Sequence, residues 1–238
     1  MGDDGGPDSP PDDEGAQVGG GAQVGGRKRD KLVQTKQRWA AEGRLLTGRA
    51  GDPERDRVPP GQSLTSGWPV LDLGEHPVVS EADFRLEIAG AVRRPVTLDW
   101  AAYTALPQVD RVSDMHCVTQ WSRLDNVWRG VATSALLDLV APKDEARHVL
   151  FVSHDGYTTN VRLDQFAAPD AMLVHAWDGQ PLTREHGGPV RVLIPALYLW
   201  KSPKWIRRIL FSAVDGPGFW ETRGYHNNAD PWREQRYS

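Results

Sequence analysis

One cysteine occurs in this chain of 238 residues, Cys117, in the run Asp114-Met115-His116-Cys117-Val118-Thr119-Gln120-Trp121-Ser122. Without a second cysteine there is no internal disulfide, and no zinc or iron–sulfur site built from several thiolates. Three fates remain for the thiol: an inert buried side chain, a nucleophile, or a single-thiolate metal ligand. A nucleophile needs a base, for which His116, His154, His175 and His186 are available. Adjacent residues on a strand face opposite sides, so His116 is poorly placed to activate its own neighbour.

Two downstream segments carry a different chemistry. In His186-Gly187-Gly188-Pro189-Val190-Arg191-Val192-Leu193-Ile194-Pro195, a histidine and an arginine flank a turn that feeds a strand. An arginine fork suits a phosphate, and paired glycines let a ligand approach the backbone. In Lys201-Ser202-Pro203-Lys204-Trp205, two ammonium groups and loop amides precede another strand, which makes a second anion cradle. Either segment alone would read slightly better as an ordinary hairpin with solvated basic residues.

The elements that must hold these groups are mostly strands. Phe84, Leu86 and Ile88 alternate with charged or small residues, and Val96-Thr97-Leu98 follows Pro95. Further strands are expected at 109–112, 148–152, 157–161, 172–176, 190–194 and 206–211, with Met115-His116-Cys117-Val118 as a strand end running into a loop. Asp155-Gly156 and Asp178-Gly179 predict tight hairpin turns. Helices are expected only at 100–105, 133–140 and 163–166. This pattern predicts an α+β fold with mixed or antiparallel β-sheets and few helices, organised as one domain over 51–238. The stretch 51–77, rich in Pro and Gly, should lie along that domain as an extended loop.

Upstream, residues 1–26 are charged only by Asp and Glu, are crowded with Gly and Pro, and repeat Gly-Ala-Gln-Val-Gly-Gly. Such a composition predicts a disordered acidic tail. Over 27–50, Leu32, Trp39 and Leu46 recur at seven-residue spacing among basic residues and predict an amphipathic helix. The net charge of −4 argues against a nucleic-acid binder or a protein held to anionic membranes. No apolar run is long enough to span a bilayer. Arg27-Lys28-Arg29 is followed by Asp30, Lys31 and Gln34 rather than by an apolar segment, which reads as a cytoplasmic protein rather than an exported one.

The cysteine run, the His-Gly-Gly-Pro-Val-Arg turn and the Lys-Ser-Pro-Lys-Trp loop occur in the order seen in the molybdopterin-binding domain of the sulfite oxidase family. The resemblance runs from Gln62 to Trp232 and includes Gly130, Asp155-Gly156-Tyr157, Phe219-Trp220 and Gly224-Tyr225. Length and motif detail are similar to the single-domain bacterial members, a group that includes the catalytic subunit of periplasmic methionine-sulfoxide reductase. The resemblance implies a molybdenum-molybdopterin cofactor, with Cys117 as the protein ligand to the metal. It implies cofactor contacts from Thr65 and Trp68 in the upstream loop, and from His116, Ser153, His186, Arg191, Ser202, Pro203 and Lys204. Tyr225 stands at the spacing of the tyrosine beside the metal and is implied to be catalytic. The implied activity is oxygen-atom transfer on a small sulfur- or nitrogen-containing substrate, with electrons exchanged with a separate redox protein.

The chain departs from sulfite oxidases where it matters for substrate. The arginines that surround a sulfite dianion are missing after the cysteine and in the upstream loop, and only Arg123 is near enough in sequence to stand in. A dianion needs concentrated positive charge to offset its desolvation, so efficient sulfite oxidation is not expected. Two alternatives remain: a binding protein that keeps the fold without catalysis, and an enzyme that uses Cys117 as nucleophile.

Overall fold

The computed structural model describes residues 55–238 and, upstream of these, Arg38 alone. The tail expected over 1–26 and the helix expected over 27–50 therefore lie outside the described residues, Arg38 apart. Residues 55–238 belong to one compact unit. They form eleven strands: β1 Ser63–Leu64, β2 Arg85–Gly90, β3 Val96–Asp99, β4 Gln108–Cys117, β5 Trp121–Ala132, β6 His148–Ser153, β7 Thr158–Arg162, β8 Met172–Trp177, β9 Gln180–Pro181, β10 Arg191–Leu193 and β11 Ile206–Ser212. Three short α-helices accompany them: α1 Trp100–Ala105, α2 Thr133–Val140 and α3 Leu163–Phe166.

Two mixed sheets result. In the first, β5 is the hub: β4 pairs with it antiparallel, β1 parallel, and β8 antiparallel, with β10 and β9 continuing from β8. The second sheet has the order β3-β2-β11-β6-β7, with β2 and β11 parallel and the other pairs antiparallel. Leu86 and Ile88 of β2, Val149 and Phe151 of β6, and Ile206, Ile209 and Phe211 of β11 pack with Leu136 and Val140 of α2 as the main core. A second cluster joins Met115, Trp128, Met172, Val174, Leu182 and Leu193 beneath Trp68. Helix α1 starts where Asp99 accepts a bond from the Ala102 amide at 2.8 Å, an ordinary N-cap.

All three expected helices form, and the Asp155-Gly156 and Asp178-Gly179 turns close β6–β7 and β8–β9. The largest element that alternation does not predict is β5. Its buried positions hold Ser122, Asn126, Trp128 and Gly130, while Val127 faces solvent, so polar residues occupy the inner face and hide the pattern. Asn126 is satisfied there by donating to the Ser113 and Arg123 carbonyls. At Gly130 the backbone of β8 comes so close that a Cβ would lie 2.0 Å from the Leu173 carbonyl oxygen, so only glycine fits. Pairing with β5 also extends β4 beyond the expected 109–112 and carries Cys117 to the strand's end.

Candidate functional site

The β4–β5 turn, the β6–β7 hairpin, the loop after β1 and the loop before β11 converge on a cavity of about 320 Å³. That is within the size range of small-molecule sites. Cys117 opens onto it from the end of β4, 6% exposed, with Sγ 3.2 Å from the Thr119 hydroxyl. Burial pushes the thiol pKa up, while the Thr119 hydroxyl and the amides of Thr119 and Val118 pull the other way. Donors converging on the sulfur favour a thiolate once another positive partner is present.

No histidine contacts the thiol among the described residues. His116 Nδ1 lies 2.8 Å from the Ser122 hydroxyl. His175 faces the Tyr103 hydroxyl, and His186 stacks on Trp68 with ring centroids 3.9 Å apart. A base-activated cysteine nucleophile therefore has no base in place.

On another wall, strand β10 begins with Arg191, 3% exposed. Among the described residues its guanidinium bonds only carbonyl oxygens: His186 at 3.0 Å, Ser202 at 2.7 Å and Val192 at 3.3 Å. A guanidinium carries five N–H groups, so two remain to donate. Burial alone lowers its pKa to about 10. A buried cation bonded only to neutral groups awaits an anion. Lys204 lines the same cavity, donates to the Glu185 carbonyl at 2.7 Å, and is lowered to about 8 by burial and by Arg191. The Ser153 hydroxyl, buried and on the cavity wall, has no partner among the described residues. Ser202 holds its loop in place by accepting from the Ile194 amide at 2.9 Å. Gly187, at φ +99°, packs so tightly that a Cβ there would meet the Lys204 Cβ at 2.8 Å.

The third wall is aromatic. Tyr198, Trp200 and Ala229 form a cluster against which Val118, Trp220 and Tyr225 pack. The Tyr225 ring meets Trp200 at 5.1 Å and Trp220 at 4.8 Å. Burial, then Tyr237, then Cys117 raise the Tyr225 pKa, which keeps the phenol protonated. Trp200 is fixed by its indole N–H, which donates to Glu221 at 3.0 Å.

Of the residues expected at the site, the cavity gathers Cys117, Tyr225, Trp68, Ser153, Arg191, Ser202, Pro203 and Lys204. His186 stands behind Trp68 rather than on the wall. His116 is turned inward against Ser122, and the Thr65 hydroxyl accepts from the Gly67 amide at 3.1 Å, so neither lines the cavity. Two expectations are corrected. Arg123 cannot stand in for an anion-pocket arginine, because it bonds Ser66, Asn126 and Asp178 and lies over Trp177 at 4.5 Å. Lys201 is no part of an anion cradle: its ammonium is buried against Glu221 at 2.7 Å and the two oxygens of Asn160 at 2.9 Å each. Residues not anticipated on the wall include Asp72, Thr119, Asp155, Trp200 and Trp205. Asp72, two residues before Gly74, had the form of an ordinary turn residue.

A family described as the oxidoreductase molybdopterin binding domain matches residues 73–220. The uncharacterized oxidoreductase YuiH of Bacillus subtilis is 44% identical over 183 residues, spanning 76% of this chain and 92% of that one. A putative protein-methionine-sulfoxide reductase subunit, YedZ1, of Azospira oryzae is 35% identical over 62% of this chain. The MsrP catalytic subunit of protein-methionine-sulfoxide reductase from Burkholderia mallei is 30% identical over 62%. This chain covers 56% and 51% of those two relatives. The sulfane dehydrogenase SoxCD of Paracoccus pantotrophus shares the fold at a TM-score of 0.54 and 21% identity, over 58% of this chain and 40% of that one. The chain belongs to the molybdopterin-binding oxidoreductases of the sulfite oxidase type. It is an oxidoreductase, and its cofactor is molybdopterin.

The residues present fit that group. A phosphate finds the buried, anion-free Arg191, the Lys204 ammonium and the unpartnered Ser153 hydroxyl. The one thiol on the cavity wall offers a soft, anionic sulfur donor of the kind that would complement the cofactor's own sulfur ligands at the metal.

Proposed function

We propose that this protein carries out oxygen-atom transfer on a small, neutral sulfur- or nitrogen-containing substrate, in the reductive direction, with Cys117 as the protein's ligand to molybdenum. Bound there, the cofactor supplies two-electron redox chemistry. The overall change is substrate oxide plus two electrons and two protons giving the reduced substrate and water. Electrons come from a separate redox protein. Arg191 and Lys204, with Ser153 and Ser202, hold the phosphate end, Trp68 walls it with His186 stacked behind, and the Pro203 carbonyl fixes the loop by accepting from the Val192 amide.

The observation that carries the substrate class is the aromatic wall on which Val118, the neighbour of Cys117, packs with Trp200, Trp220 and Tyr225. The only cations among the lining residues are Arg191 and Lys204. Each has its hydrogen-bond partners outside that aromatic cluster. A neutral oxide needs a donor rather than a cation, and the protonated Tyr225 phenol provides one. The names of the YedZ1 and MsrP relatives lend support to sulfoxides as the first class to assay.

The test uses protein made in a host that synthesises molybdopterin. Near-stoichiometric molybdenum and pterin are expected, with reduction of methyl sulfoxides by reduced viologen outpacing sulfite oxidation with ferricyanide. Cys117→Ser should lose molybdenum and turnover together. A protein that oxidises sulfite faster than it reduces any sulfoxide or N-oxide overturns the substrate class, and a Cys117→Ser variant that keeps both metal and activity overturns the ligand.

A further inference from the structure

We infer that Asp72 is a positioning residue for the cofactor: it aims the Lys204 ammonium into the cavity and, through that contact, straps the loop bearing Trp68 across the cavity's edge. Asp72 Oδ2 stands 3.2 Å from Lys204 Nζ and 2.6 Å from His76 Nε2, and Oδ1 accepts from the Gly74 amide at 2.8 Å. Both partners of the ion pair are shielded, with side-chain exposures of 11% for Asp72 and 14% for Lys204, and both line the cavity. With bonds to Asp72 and to the Glu185 carbonyl, the ammonium has one N–H left for a ligand.

A carboxylate beside an anion site weakens that site unless it has another task. The backbone shows what the task is. Among the described residues, 66–79 make no backbone-to-backbone hydrogen bond, so side chains fasten this segment to them. Trp68 on His186, Trp128 and Trp177, Arg123 on the Ser66 carbonyl, His76 on Trp205 and Asp72 on Lys204 are among its fastenings. Lys204 is faced by Arg191, which disfavours its charge, and by Asp72 and Asp155, which support it, while nearby His186 is held neutral. Burial and Arg191 bring it to about 8 against the support of Asp72, so removing Asp72 shifts it further down.

The inference rests on the assignment of Lys204 to the cofactor's phosphate, and the experiment separates the two. Cofactor-loaded wild type, Asp72→Asn, Lys204→Met and the double variant are held at pH values from about 6 to 9, and pterin release is followed by fluorescence. Lys204→Met should release pterin about tenfold faster than wild type throughout, the loss of one charge-assisted bond. Asp72→Asn should approach that rate as the pH rises and fall short of it at low pH, and the double variant should match Lys204→Met. Protease cleavage within 66–79 should accelerate in both single variants. Wild-type release by Asp72→Asn at every pH overturns the positioning role, as does a double variant whose effect is the product of the two singles. Wild-type release by Lys204→Met overturns the phosphate assignment itself.

Discussion

His186 lies close enough to Arg191 and Lys204 for their charges to act on its proton. His186 is lowered to about 4, by burial first and then by the positive charges of Arg191 and Lys204. Its ordinary pKa of 6.5 applies in the unfolded chain. The folded protein thus refuses a proton that the unfolded one accepts as the pH falls from 6.5 towards 4. The stability this neutral histidine contributes is whole above 6.5 and is lost as the pH falls through that window. The cofactor-free protein should show a falling melting temperature over this range, and His186→Asn should flatten the fall. Equal slopes in the two proteins would show that other groups govern the acid response. Cofactor binding should flatten it as well, because a phosphate offsets the two cations that depress the histidine.

The element that does most to shape the cavity outside the strands is the turn at Trp200-Lys201-Ser202. Lys201 and Glu221 are each 1% exposed in their side chains and lie 2.7 Å apart. Burial lowers the Lys201 pKa, and Glu221 opposes that shift. Glu221 also accepts from the Trp200 indole at 3.0 Å, the Thr159 hydroxyl at 2.9 Å and the Gly218 amide at 3.1 Å, joining β7 to two loops. Breaking one partner of a buried pair leaves an uncompensated charge, so Glu221→Gln should cost about 3–5 kcal/mol. Lys201→Met combined with Glu221→Gln should cost less than Glu221→Gln alone, and urea titration of the three proteins checks the order. Strand β5 belongs to this scale too. It was invisible to alternation because Ser122, Asn126 and Gly130 fill its inner face, where hydrogen bonds and close backbone contact replace apolar packing.

For the whole molecule, stability resides in the second sheet and its helix. Ile209 is fully buried on the central strand β11, between β2 and β6. Ile209→Ala should lower the unfolding free energy by about 2–5 kcal/mol. Val112, 61% exposed on the other sheet, should tolerate alanine within about 0.5 kcal/mol. Denaturant unfolding monitored by tryptophan fluorescence distinguishes them, and equal costs would mean that the core is not where burial puts it.

At this scale the division between sequence and structure is clear. The strand grammar, the three helices and the two Asp-Gly turns were legible because local periodicity and turn chemistry need only neighbours in the chain. The order of the Cys117, His186–Arg191 and Lys201–Lys204 segments likewise marked the family before any coordinates. Which lysine faces the cavity was not legible: Lys201 and Lys204 are three residues apart, and the buried Glu221 draws the first into the interior while the second pairs with Asp72 on the cavity wall. The same holds for Arg123, taken up by Asp178 and Trp177, and for His186, placed behind Trp68. Residue type and spacing determined which chemistry this chain carries. Tertiary structure decided which groups are free to perform it, because a side chain's availability depends on partners that are remote in sequence.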